Sequence, residues 1–169
     1  VTVDASVRLS DINPGSTPGF TGGKEAGRDL VAQDLPRLDD LQERLFAGGV
    51  AATSPARILL ILQGMDTAGK GGIVRHVVGA VDPQGVRIQA FKAPTEEELA
   101  HDFLWRIERA LPEPGFIGVF DRSHYEDVLV ARVRSLAPEA EIERRYGAIE
   151  EAEQHWRDQG IRVVKVMLH

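Results

Sequence analysis

The sequence contains no cysteine. Disulfides, thiolate nucleophiles and cysteine zinc sites are thereby excluded, which fits a reducing compartment. Its five histidines show no metal-ligand spacing such as H-x-x-x-H, so no zinc site is expected. No apolar run approaches the ~20 residues needed to span a bilayer, and the first residues lack a basic-then-apolar signal pattern. These absences read as a soluble, cytoplasmic protein with no membrane partner. A basic excess is missing too: 20 Lys and Arg stand against 26 Asp and Glu, a formal net charge of −6. That argues against nucleic-acid binding through a general basic surface. Any polyanion has to be held by a local cluster of Lys and Arg. There is no internal repeat and no low-complexity tract beyond the first 27 residues.

What is present fits one domain: 169 residues with 43% hydrophobic content can bury a sizeable core. The chain is organised around residues 57–74, RILLILQGMDTAGKGGIV. Residues 58–62 are an unbroken apolar run of strand length, and Gly64 to Lys70 spells G-x-x-x-x-G-K before a helix opens. Gly64 and Gly69 let backbone N–H groups turn inward around an anion, the helix start adds its positive dipole end, and Lys70 supplies a mobile charge. Gly64, Met65, Thr67, Ala68, Gly69 and Gly71 are the candidate phosphate-binding positions. The residue after the lysine is Gly71 rather than the Ser or Thr whose hydroxyl usually holds Mg²⁺. Asp66, inside the loop, is the alternative ligand. A bare carboxylate beside a phosphate is repulsive by about 4 kcal/mol at ~4 Å and an effective dielectric of ~20. A bridging Mg²⁺ turns that repulsion into coordination. The competing reading is that Asp66 caps the helix.

Around this unit the chain alternates strand and helix. Residues 1–27 carry turn signals and little periodicity, and are expected to form an extended arm. Leu38, Leu41 and Leu45 recur at helical spacing, with Asp34 and Pro36 as the expected helix start and Gly48-Gly49 as its end. The helix after the loop runs over 71–81, with Arg75 reaching the anion or solvated on the surface. A strand over 86–91 leads to Lys92, at the edge where open α/β sheets bind ligands; Lys92 contacts phosphate or is an ordinary loop lysine. Thr95 and Glu98 have capping-box spacing, which predicts a helix over 95–110, with Arg106 a solvent or salt-bridge residue. A strand over 116–120 ends in Asp121, the expected second carboxylate of a phosphate-loop site, followed by Arg122, whose guanidinium suits phosphate oxygens. A helix follows over 123–133. His124 invites a general-base reading, but transfer between phosphates needs none, so positioning or packing is expected of it. A solvated amphipathic helix over 140–159 and a last apolar strand over 161–168 complete the sequence.

GMDTAGKGG at 64–72, DPQGV at 82–86, FKAP at 91–94, DFLWR at 102–106 and FDRSHYEDVLV at 120–130, in that order, resemble the family-2 polyphosphate kinases. The resemblance runs from about residue 28 to 169. The SHYED form is most similar to the branch that phosphorylates nucleoside mono- and diphosphates. It implies a thymidylate-kinase-like three-layer α/β/α P-loop fold with a parallel sheet, and Mg²⁺-dependent, reversible phosphoryl transfer between inorganic polyphosphate and adenine or guanine nucleotides. It also implies homo-oligomers. Asp66, Lys70, Asp121 and Arg122 fall on its two phosphate-site motifs, with Asp66 and Asp121 as metal ligands, and Lys92 falls on its basic FKAP element. Family members continue past the last strand into a helical lid with further arginines. The sequence to His169 holds no lid: the residues belong to a longer chain, or the protein is a shortened one. The former is favoured, because a domain ending on a buried strand leaves an apolar face uncovered. An ATP-dependent nucleoside monophosphate kinase uses the same loop and metal, and a non-catalytic nucleotide- or polyphosphate-binding module is the third reading.

Overall fold

The computed structural model describes residues 7–169; the first six residues of the expected arm lie outside them. Four strands, β1 (Arg57–Gly64), β2 (Val86–Ala90), β3 (Ile117–Asp121) and β4 (Ile161–Leu168), form one parallel sheet in the order β2-β3-β1-β4. Parallel neighbours require crossover connections. These are built from α2 (Lys70–His76), from the short α3 (Glu96–Leu99) and α4 (Trp105–Glu108), and from α5 (Glu126–Val133) and α6 (Glu139–Asp158).

Side chains alternate across a strand, so β1 serves two cores. Leu59 and Ile61 pack with Ile107, Phe120, Val128, Ile149 and Trp156 beneath α4, α5 and α6. Leu62 packs with Val78 and Val119, beside Leu60, Ile73 and Val74, beneath α2. Helices on both faces make the three-layer α/β architecture that the family resemblance implies. The chain passes from β1 to β2 on one side and from β3 to β4 on the other, so the order reverses between the adjacent β1 and β3. Ligands of open α/β sheets bind at the carboxyl end of such a reversal. Here that end holds the glycine-rich loop and the Asp121-Arg122 pair.

Several elements differ from expectation. The first helix, α1 (Lys24–Val50), starts before Asp34 and carries Pro36 inside it. Pro36 is exposed, so its ring points away from any packed neighbour and the loss is confined to one helical hydrogen bond. The helix is anchored through its last turns. Phe46 meets Phe116 edge-on with centroids 5.3 Å apart, and a Cβ added at Gly49 would lie 2.3 Å from the Pro114 carbonyl oxygen. The helix expected over 95–110 is two short helices. The capping box at Thr95 and Glu98 is present, but Asp102 Oδ1 accepts from the Leu104 amide at 3.0 Å and turns the chain between them. After His76 the backbone tightens into a 3-10 turn at Val78–Ala80 rather than continuing as α-helix.

Candidate active site

Register brings the two halves of the site together. Leu62 of β1 pairs with Asp121 of β3, and the Arg122 amide continues the ladder by donating to the Leu62 carbonyl at 3.1 Å. Beyond these bonds both chains turn. Arg122 adopts φ +65, a left-handed conformation uncommon for a residue with a Cβ, and Thr67 adopts φ +70 within the loop. The outcome is an ion pair: Arg122 Nη2 lies 2.6 Å from Asp66 Oδ1. Asp66 does not cap α2, whose N-cap is Gly69 without any side-chain hydrogen bond.

The loop folds around its own lysine. Lys70 is buried and donates to the Gly64 carbonyl at 2.7 Å and to the Met65 carbonyl at 3.0 Å. Ala68 closes a turn onto Met65, while Gly72 and Ile73 donate to Gly69. Among the described residues the amides of Asp66, Thr67, Gly69, Lys70 and Gly71 donate to no partner, and a Cβ at Gly69 or Gly71 would meet nothing within 4 Å. This leaves five loop amide donors unused beside open space at Gly69 and Gly71, the chemistry an anion cradle requires. Gly64 is a different case. With φ +156, a Cβ there would stand 2.7 Å from the Leu168 carbonyl oxygen, so the loop leaves β1 pressed against β4.

Among the other expected residues, Asp121 Oδ1 is buried with no hydrogen-bond partner. Lys92 is exposed, just past β2, and next to the site through register: Ala90 pairs with Asp121, and the Phe91 amide donates to the Asp121 carbonyl at 3.2 Å. Arg75 lies in the last turn of α2, exposed, with no hydrogen bond or ion pair to the loop among the described residues. An open cleft of about 270 Å³ runs from Met65, Asp66 and Arg122 along α5 past Glu126 and Val130 to Arg134.

The sequence did not point to the buried network centred on Glu153. His124, for which packing or positioning was expected, is fully buried, with Nε2 3.4 Å from Glu153 Oε1. The same carboxylate accepts from the Tyr125 hydroxyl at 2.8 Å and from Lys165 Nζ at 2.7 Å. Burial pushes the Glu153 carboxyl upward, yet hydrogen bonds from His124, Lys165 and Tyr125 outweigh it and hold the group down at about 2. On the other side of the turn, burial raises Asp127 above the ordinary carboxylate value, and the charges of Arg106 and Arg145 pull it back only in part. Glu153 sits on a helix whose sequence reads as solvated. Its i−4 and i+3 neighbours Ile149 and Trp156 are both buried, and that spacing was the available signal.

A parallel sheet with a glycine-rich, lysine-ended loop after the central strand, and an aspartate ending the neighbouring strand, defines the class of P-loop phosphate-binding proteins. The model of the polyphosphate kinase 2 family matches residues 24–169, and the chain belongs to that family. It is 42% identical over 169 residues to the AMP/ADP-polyphosphate phosphotransferase of Meiothermus ruber, covering 100% of this chain and 61% of that protein. The ADP-polyphosphate phosphotransferase of Rhodopseudomonas palustris is 42% identical over 168 residues, covering 92% of this chain and 56% of that one. The crystal structure of polyphosphate kinase 2 from Arthrobacter aurescens TC1 superposes with a TM-score of 0.95 at 58% identity, over 99% of this chain and 59% of that one. The chain thus spans about three fifths of the length of these relatives. No helix among the described residues is long and apolar enough to cross a membrane.

Proposed function

We propose that the protein of which this chain is part catalyses reversible, Mg²⁺-dependent transfer of a terminal phosphoryl group between inorganic polyphosphate and a nucleoside mono- or diphosphate. The observation that carries the reading is the convergence of the loop and the β3 terminus, joined by the Asp66–Arg122 pair beside the unpartnered Asp121 Oδ1. The relatives whose names specify polyphosphate and AMP or ADP support the same substrates.

The donor set fits Mg²⁺. Two carboxylates, one with a buried unsatisfied oxygen, suit an ion that is held by one or two carboxylates and completed by substrate phosphates and water. Among the described residues no cluster of three or more ligating side chains exists, so an all-protein metal cage is not the expected form. Asp66 and Asp121 would hold the ion, which when bound would offset the negative charge of the substrate phosphates.

The remaining work belongs to the chain. The free loop amides orient the anion, and Lys70 leaves the Gly64 and Met65 carbonyls to meet it. Arg122 offsets charge on the transferred group, and Lys92 holds a neighbouring phosphate. Transfer is in line, without a covalent enzyme intermediate, and needs no general base because the acceptor oxygen is already anionic. Placement and electrostatics account for the rate.

The test is incubation of the full-length protein with AMP or ADP and long-chain polyphosphate, without ATP, in Mg²⁺ and again in excess EDTA. New ADP or ATP that disappears with EDTA supports the proposal. Transfer from ATP to AMP with silence toward polyphosphate identifies a nucleotide-dependent kinase instead. Saturable binding without product under either condition identifies a binding module.

A further inference from the structure

Arg106, expected as a solvent or salt-bridge residue, is a salt-bridge residue and a buried one: only 8% of its side chain is exposed. Burying a guanidinium is costly unless its donors are used, and all its partners lie outside its own helix α4. Nη1 donates to the Lys92 carbonyl at 2.9 Å, and Nη2 faces Asp127 Oδ2 at 3.4 Å. The Glu98 carboxylate stands 3.7 Å from Nη1, and the guanidinium lies over the Phe91 ring, 5.5 Å from its centroid. One planar group therefore ties the segment that follows β2 to the helix that follows β3.

Those two segments leave the sheet side by side, as the Ala90–Asp121 register requires. Each carries a cation, Lys92 on one and Arg122 on the other. Lys92 forms no ion pair among the described residues, so nothing but its backbone fixes where its charge starts from. The fork geometry matters: a guanidinium offers its two Nη donors at a fixed spacing, where an ammonium is a compact point charge on a flexible stem.

We propose that Arg106 is a positioning residue that clamps the Lys92 backbone to Asp127 and so sets the spacing between Lys92 and Arg122 at which a linear polyanion is gripped. For its substrate the inference rests on the proposed function; for its geometry it does not. Arg106 touches no phosphate and acts through Lys92.

The experiment compares full-length wild type, Arg106→Lys, Lys92→Ala and the double variant by two readouts. Backbone amide exchange is expected to quicken about tenfold at residues 91–95 in Arg106→Lys, with β1 protection unchanged, in line with the loss of a charge-assisted hydrogen bond. KM for long-chain polyphosphate should rise about tenfold in Arg106→Lys with kcat within about threefold. The double variant should be no more than about twofold worse than Lys92→Ala, because the two act as one unit. Unchanged exchange at 91–95, or effects that multiply in the double variant, overturns the proposal. Loss of protection in β1 together with a lower thermal midpoint also overturns it, since Arg106 would then be a core brace. If wild type makes no nucleotide from polyphosphate, the functional reading falls, and the exchange experiment alone decides the clamp.

Discussion

Arg122 and Asp66, 56 positions apart in the chain, meet at 2.6 Å across the mouth of the phosphate loop. The pair is solvent-exposed on the Asp66 side, where the side chain is 82% accessible, so its worth to stability is small, about 0–1 kcal/mol. Its worth to chemistry is another matter. Asp66→Asn should leave the thermal midpoint within about 2 °C of wild type and lower kcat for polyphosphate-dependent transfer by about a hundredfold or more. Unfolding scans and steady-state kinetics on one preparation check both halves. Near-normal turnover removes Asp66 from the metal-binding role.

Lys70 rests on the carbonyls of Gly64 and Met65, the latter shared with the Ala68 amide. Lys70→Met should therefore affect two things. Transfer should fall by on the order of a thousandfold, and the hydrogen-bonded loop amides of Ala68, Gly72 and Ile73 should exchange faster even without substrate, because the internal strut is gone. Exchange measured on the unliganded variant separates that strut from the charge.

Glu153 provides the pH signature. Its carboxyl is held at about 2, below the ordinary 4.5, so the stability it contributes is complete above pH 4.5 and is lost as the pH falls toward about 2. Glu153→Gln should be less stable than wild type by about 2 kcal/mol at pH 7. The gap should narrow steadily between pH 4.5 and pH 2, which denaturant melts at stepped pH would show. A constant gap over that range contradicts the assignment of the proton linkage to this side chain.

Gly49 tests how α1 is held. A methyl group there meets the Pro114 carbonyl oxygen at 2.3 Å and the Gly115 backbone at 2.5 Å, neither of which can yield cheaply. Gly49→Ala should destabilise the fold by about 2 kcal/mol or more, despite improving helix propensity by ~1 kcal/mol. Denaturant unfolding gives the sign: a stabilised variant means that α1 is free to shift.

What the sequence disclosed and what it hid divide along physical lines. The unit from Arg57 to Lys70 was legible because each feature, an apolar run, spaced glycines and a terminal lysine, is local. The strands over 86–90, 117–121 and 161–168 lie within a residue or two of expectation for the same reason. Pro36 misplaced the helix start because proline at the first turn is the common case, whereas here it lies inside a helix that begins at Lys24. Glu153 read as solvated, and the burial of the salt-bridged Arg106 went unread, because partners such as Lys92, Asp127 and His124 lie 14 to 29 positions away, which no local pattern encodes. The pairing of Arg122 with Asp66 was likewise invisible until the strand order set β3 beside β1.

Because every strand runs the same way, the ends of β2, β3 and β1 share one rim, and neighbouring strands lie ~4.8 Å apart. On the proposed function, Lys92 and Arg122, just past β2 and β3, and Lys70, in the loop after β1, would be stations along a line on the order of 10 Å long, laid across the grain of the sheet. A donor too short to reach from the outer station to the loop gives up one hold entirely, so affinity should drop in a step as the oligomer is shortened instead of fading evenly with its charge.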